Sequence, residues 1–215
     1  MVLFSYFPED PRPRREAEAL TRNGFEVDFF CLQRDPDELL REESSGISVY
    51  RLPLKRRRTG RLAYVFQYAA FLLAAFGFLT ARVFRGYSIV HVHNMPDILV
   101  FSALVPKLFG AKVILDLHDP MPEVFQVIYN LQKGSRAVRA LEFTEKLSIR
   151  FADAVLTPNI AFKDLFVSRG CPAQKIGIVM NSPDEANFHA ITSGREQKTS
   201  GYHVMFHGTL VERNG

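Results

Sequence analysis

Short apolar runs, each followed by a segment long enough for a helix, recur along most of this chain, and that alternation leaves few folds open. VLFSYF (Val2–Phe7) begins the series, and FEVDFFCL (Phe25–Leu32) and ISVYRL (Ile47–Leu52) read as the second and third strands. SIVHVH (Ser88–His93) and KVILDLH (Lys112–His118) are the fourth and fifth, and ADAVLTP (Ala152–Pro158) and KIGIVM (Lys175–Met180) complete it. Between them lie a helical stretch from Arg14 to Asn23 with Gly24 in the C-capping place, a helix starting near Pro96 and another ending near Gly170. Strands alternating with helices imply right-handed βαβ units. Continuous apolar strands, rather than alternating ones, suit a sheet covered on both sides. The predicted fold class is α/β, a Rossmann-like parallel sheet with helices on both faces.

From Ser182 the texture turns polar, with Ser193-Gly194 and Ser200-Gly201 as turn signals, and HVMFHG (His203–Gly208) then reads as a new strand. The expected organisation is a first domain over 1–182, a linker over 183–202, and the first strand of a second domain over 203–215.

Composition narrows the class. With 47% hydrophobic and 23% charged residues the 215-residue chain has the profile of a globular protein rather than a disordered one. Cys31 and Cys171 sit in unrelated contexts and form no CxxC pair, which fits a reducing cytosol. The start MVLFSYFPED lacks a basic lead into a long apolar core, so it does not read as a signal peptide. The net charge of +4 is local: Arg51, Lys55, Arg56, Arg57, Arg58 and Arg61 occur with no acid among them, and without these six the remainder is net negative.

Leu62–Ala81 carries no charge over a length that would cross a hydrocarbon core of about 30 Å. Its place between the third and fourth strands argues against spanning, because a crossing would divide the sheet and leave backbone groups unpaired. Two readings remain: a crossover helix buried in the core, or a helix with one face on the sheet and the other on a membrane surface. Lys55–Arg58 just upstream favours the second by attracting anionic headgroups. Nucleic acid is not expected, since no aromatics interleave with the charges.

Parallel sheets place ligands beyond the carboxyl ends of their strands. Three polar sets fall there: Pro8–Arg15 after the first strand, His91-Val92-His93-Asn94 at the end of the fourth, and Asp116-Leu117-His118-Asp119 at the end of the fifth. His118 can exchange a hydrogen bond with a sugar hydroxyl while a neighbouring carboxylate fixes its tautomer, so His118 and Asp119 are the catalytic candidates. His91 and His93 share a strand face as the HxH pairs of metal-dependent hydrolases do, and with His118 they define an alternative metallohydrolase centre. Asp10, Arg12 and Arg15 lie near an expected helix N-terminus and, with His93 and Asn94, can hold an acidic or phosphate-bearing acceptor. No GxGxxG or GxxxxGK[ST] is present.

DPRPRREAEAL, IVHVHNMPDILVF, GAKVILDLHDPMPE, RFADAVLTPN, IVMNSPDEANF and FHGTLVERNG, in this order, resemble glycosyltransferase family 4 over essentially the whole chain. The resemblance implies a retaining enzyme of the GT-B architecture, with an N-terminal acceptor domain facing a C-terminal nucleotide-sugar domain. It implies a hexosyltransferase-type activity without a metal or other cofactor, the leaving diphosphate being stabilised by a helix dipole and basic side chains. It puts His118 beside the transferred sugar, the early arginine loop on the acceptor side, and Gly208 and Arg213 by the donor phosphates. Two departures stand out: Gly208-Thr209 replaces Gly-Arg, and Asn214-Gly215 replaces Lys-Gly, leaving Arg213 as the basic candidate. The implied partners are a nucleotide-sugar donor, a lipid-linked or glycan acceptor, and an anionic membrane met by Lys55, Arg56, Arg57 and Arg58. The implied location is cytoplasmic, peripheral at the inner face of the membrane. The donor domain's acidic motif is not in this sequence, so the chain is expected not to catalyse transfer by itself. A non-catalytic membrane-binding module is the remaining alternative.

Overall fold

The computed structural model describes residues 1–55 and 61–182. Contacts divide the chain into one compact unit, Met1–Met180, and a second, Asn181–Gly215, of which Asn181 and Ser182 are described. The expected linker and late strand lie outside the described residues.

The first unit is one sheet. Its strands are β1 (Val2–Tyr6), β2 (Val27–Leu32), β3 (Arg41–Ser44), β4 (Ile47–Leu52), β5 (Ile89–His93), β6 (Lys112–Asp116), β7 (Ala154–Thr157) and β8 (Ile176–Ile178). They lie in the order β3-β4-β2-β1-β5-β6-β7-β8, all parallel except β3. The fold class read from the apolar runs is the one found. β3 was not expected: its sequence REES has no apolar residue, and it is held on the exposed edge by antiparallel pairing to β4, by the Glu42–Arg51 ion pair and by Arg41 over the Tyr50 ring. Charged edge strands of this kind discourage further pairing.

The chain runs outward from β1 through β2 to β4, then returns to place β5 on the other side of β1. That reversal between β1 and β5 is the topological switch point, where ligands of open α/β sheets bind.

Alternation along each strand feeds two cores. Leu3, Phe29, Cys31, Ile47 and Val49 face α1 (Pro11–Arg22), which contributes Ala17. Phe4, Phe30, Leu32 and Tyr50 face α2 (Arg61–Ala81), whose Phe71, Ala75 and Leu79 are buried among them. Phe4 meets Phe71 and Tyr68 edge-on with ring centroids 5.1 and 4.9 Å apart. Burying Phe71 and Leu79 stabilises the fold by about 1.5–3 kcal/mol each. α2 is therefore packed along one side, and among the described residues no helix is long and apolar enough to cross a membrane.

α1 starts earlier than its periodicity indicated. Pro11 takes the first helical position, where its missing N–H costs nothing, so Arg12 falls in the first turn. Gly24 follows the helix end with φ +83°, as a C-terminal glycine should. The helix expected near Pro96 is instead a 3-10 helix, Asp97–Ala103, leading into the short α3 (Leu104–Leu108). Pro106 supplies no N–H with which to continue an α-helical ladder back to Ser102. α4 (Met121–Tyr129), α5 (Arg136–Phe151) and α6 (Ile160–Ser168) complete the cover, α5 capped by Ser135 and α6 by Asn159.

Arg51, counted with the basic cluster in the sequence, does not belong to an exposed patch. It is buried at the end of β4, 2.7 Å from Glu42 and 3.6 Å from Glu38, and its guanidinium also donates to the Phe7 carbonyl. Lys55 is exposed, and Arg56, Arg57 and Arg58 lie outside the described residues.

Candidate functional site

At the switch point the carboxyl ends of β5 and β6 and the first turn of α1 converge. Arg12 reaches from α1 to Asp116 at the end of β6, its Nε 2.9 Å from one carboxylate oxygen and an Nη 2.8 Å from the other. Its remaining Nη donates to the Val179 carbonyl at 2.5 Å, which ties α1 to the chain leaving β8. Arg12 is buried, so its fork faces Asp116 rather than solvent. Arg15 is half-buried on the same helix, and Asp10 is its N-capping residue without a side-chain cap bond.

Asp116 accepts from three directions. Besides Arg12, its Oδ2 lies 3.4 Å from His93 Nδ1 and 3.3 Å from His118 Nε2, and those two imidazole nitrogens are 3.1 Å apart. Burial alone would push the Asp116 carboxyl up, but hydrogen bonds from His118, His93 and Arg12 outweigh it and hold it well below the usual range. His91 stacks on His93 at 4.3 Å. Burial lowers His93 to about 4 and His91 well below its ordinary value, so both are neutral at physiological pH.

Asn94 holds the loop that carries the two catalytic candidates. Its Oδ1 accepts from the His118 backbone N–H at 2.8 Å, and its Nδ2 donates to the Asp119 carbonyl at 2.8 Å and to Asp97 at 3.0 Å. His118 is half-buried and Asp119 exposed, so this loop presents the site to solvent while Asn94, His93 and Asp116 support it from beneath.

The structure brings together Arg12, His91, His93, Asn94, Asp116, His118 and Asp119. Gly208 and Arg213 lie outside the described residues. It adds Glu16, which is not among the candidates read from the sequence. Glu16 lies one helical turn after Arg12, 3.4 Å from its guanidinium, and 3.8 and 3.9 Å from the nitrogens of His91 and His93. Burial, then the charge of Asp116, raise its carboxyl to about 8. Helical spacing from Pro11 was the signal that could have found it, since residues four apart share a face.

Glu16, His91, His93 and Asp116 are also the residues that could hold a metal, their ligand atoms lying within 4.8 Å of one another. Both Asp116 oxygens are engaged by Arg12, however, and a cation there would face a guanidinium at close range.

The glycosyl transferase 4-like domain model matches residues 11–182, which include every residue of this cluster. No curated protein sequence matches the chain significantly. Among solved structures it is similar to sucrose-phosphate synthase from Thermosynechococcus elongatus, with a TM-score of 0.58 and 18% identity over 81% of this chain and 43% of that one. It is also similar to HepE of Anabaena, solved in complex with UDP and glucose, with a TM-score of 0.50 and 16% identity over 86% of this chain and 45% of that one. The chain thus spans less than half the length of these two proteins, and its sheet is that of the N-terminal half of a GT-B fold. With the family model covering most of its length, the chain belongs to the glycosyl transferase 4-like domain family.

Proposed function

We propose that this chain is the acceptor-binding side of a retaining, hexosyltransferase-type glycosyltransferase. It serves transfer from a nucleotide-sugar donor to a lipid-linked or polysaccharide acceptor at the cytoplasmic face of a membrane, with residues 183–215 leading into a donor-binding domain. The observation that carries this reading is the support of His118. Its Nε2 is turned to Asp116 and its backbone N–H is held by Asn94, at the carboxyl edge of the switch point. An ionised Asp116 takes the Nε2 proton as a hydrogen bond, which leaves Nδ1 as an acceptor for a sugar hydroxyl. Asp119, exposed beside it, is placed to bind a second hydroxyl. The leaving diphosphate needs basic groups from the donor side, for which Gly208 and Arg213 are the candidates in this chain, and the chemistry calls on no metal. That HepE was solved with UDP and glucose supports a nucleotide-sugar donor.

Titration with a water-soluble, short-chain prenyl diphosphate saccharide, followed through histidine ring protons, tests the acceptor role. Saturable shifts at His118, with binding at least about tenfold weaker in His118→Ala, are expected, a loss of about 1.4 kcal/mol. Equal binding by the variant, or shifts that leave His118 untouched, would remove the acceptor from this site.

A metal-dependent hydrolase is the second reading, favoured by the convergence of His91, His93, Glu16 and Asp116. It requires Arg12 to release Asp116, and zinc-dependent hydrolysis abolished by His91→Ala would establish it.

A further inference from the structure

The amino edge of the sheet, opposite the edge that carries His118, holds a cleft that the proposed reaction does not use. α5 ends at Phe151, just before β7, and the turn after α6 runs through Gly170, Cys171 and Pro172 to Lys175, just before β8. Between them lies a space of about 500 Å3, within the size range of small-molecule sites. Its floor is apolar. Ile149 is 6% and Cys171 3% exposed, and Pro172 completes it.

Charge on the walls is one-sided. Glu145 is held through both oxygens by Arg169, which leaves Glu142 as the acid facing three cations, Lys146, Arg150 and Lys175. Among the described residues none of these three makes an ion pair. The end of α5 accounts for one of them: Lys175 Nζ donates to the Arg150 carbonyl at 3.3 Å, where a cation offsets the last carbonyls of the helix. The other two have no such partner. Lys175 is also half-buried, and burial lowers its ammonium from the ordinary value, with the charge of Lys107 adding to the fall. Lys107 belongs to a shallower hollow alongside, which shares Arg150, Pro172 and Lys175 with the cleft. The one acid of that hollow, Asp153, is already bound by Lys107 at 2.6 Å. Two adjoining hollows with more cations than acids focus a positive potential at Arg150 and Lys175. A phosphate suits them, since its oxygens can meet an arginine fork and lysine point charges at once.

We propose that the cleft between α5 and the turn before β8 is a binding site for a phosphate-bearing small molecule. Lys146, Arg150 and Lys175 hold the phosphate, and an apolar part of the ligand lies on Ile149, Cys171 and Pro172. The inference goes beyond the acceptor reading and does not depend on it, because the ligand meets the edge of the sheet away from His118.

Inorganic phosphate and phenyl phosphate, each titrated into the full chain at constant ionic strength, test the site through backbone amide resonances and calorimetry. Saturable shifts centred on Gly170, Cys171 and Lys175 are expected, with a Kd on the order of 1 mM or tighter. Tighter binding of phenyl phosphate assigns the cleft to a phosphorylated organic molecule, whereas equal binding strikes the apolar floor from the proposal and leaves free phosphate. Arg150→Gln/Lys175→Gln weakens both probes at least about tenfold. Lys112→Gln, at an exposed cation outside the cleft, leaves binding unchanged. Circular dichroism checks that the variants are folded, and Lys146→Gln, at an exposed helix position, gives a smaller loss in a chain whose core is untouched. The proposal is overturned if neither probe binds saturably, if the folded variants bind like wild type, or if the shifts fall on His118 instead of the cleft.

Discussion

Arg12 and Asp116, 104 residues apart in sequence, meet through two parallel hydrogen bonds in a buried pair that joins α1 to the end of β6. A planar fork suits this geometry and a lysine ammonium does not. Removing the guanidinium would leave a fully buried carboxylate with Glu16 as its nearest acidic neighbour. Arg12→Met is expected to cost about 3–5 kcal/mol in urea unfolding, Arg12→Lys less, and Arg12→Met/Asp116→Asn less than the sum of its single changes. A cost under about 1 kcal/mol for Arg12→Met would show that the pair does not anchor the site.

Asn94 is the second support. Its side chain satisfies the His118 N–H, the Asp119 carbonyl and one oxygen of Asp97, so no other residue type fills its place. Asn94→Asp turns the donor into an acceptor facing two acceptors. We expect it to destabilise by about 2–4 kcal/mol, more than Asn94→Ser, and to broaden the His118 ring resonances. Unchanged resonances together with unchanged stability would mean that the loop is fixed by other contacts.

The sheet was legible because each inner strand is buried on both faces, which forces continuous apolar runs such as KVILD and IVHVH. β3 was not legible, since an edge strand held by backbone pairing and by charged side chains such as Glu42 needs no apolar signature. The site was legible by position: polar residues just after β1, β5 and β6 meet because the chain reverses direction between β1 and β5. The partnerships inside it were not. Arg12 looked like a solvent-facing anion ligand and proves to be turned inward, because starting the helix at Pro11 rather than Arg14 rotates its side chain toward Asp116. Glu16 was hidden for the same reason, and the basic run lost Arg51 to Glu38 and Glu42, which only folding brings near.

A second buried carboxylate sits away from the loop site. Glu145 on α5 is 1% exposed and is gripped by Arg169, which also pairs with Glu123 on α4. Burial pushes Glu145 up to about 7, with Arg169 working against the rise. Arg169→Gln is expected to cost about 3 kcal/mol at pH 8, where Glu145 would be charged and unpaired, and clearly less at pH 6, where a proton can replace the arginine. Equal losses at the two pH values would show that Glu145 is already neutral in the folded protein.

Glu16 makes stability depend on pH in a direction that can be worked out. Its carboxyl is raised from an ordinary 4.5 to about 8, burial being the main cause and the Asp116 charge the next. Between these values the folded chain keeps a proton that the unfolded chain has released, so this contribution is full below about 4.5 and is lost as pH rises through about 8. The buried Met1 amino group, lowered to about 6, acts in the opposite sense over the upper part of the range. His93, lowered to about 4, acts in the opposite sense below 6.5. The wild-type profile therefore mixes signs, and the informative quantity is the difference between wild type and Glu16→Gln, in which a neutral amide replaces the protonated acid. The stability of Glu16→Gln relative to wild type should rise with pH from about 5 to 8, by on the order of 1 kcal/mol per pH unit at most, since one proton is involved. Thermal unfolding of both proteins across that range measures it. A difference that does not change with pH would mean that Glu16 titrates in the folded chain as it does in the unfolded one. The histidine cluster would then hold two charged carboxylates with Arg12 between them.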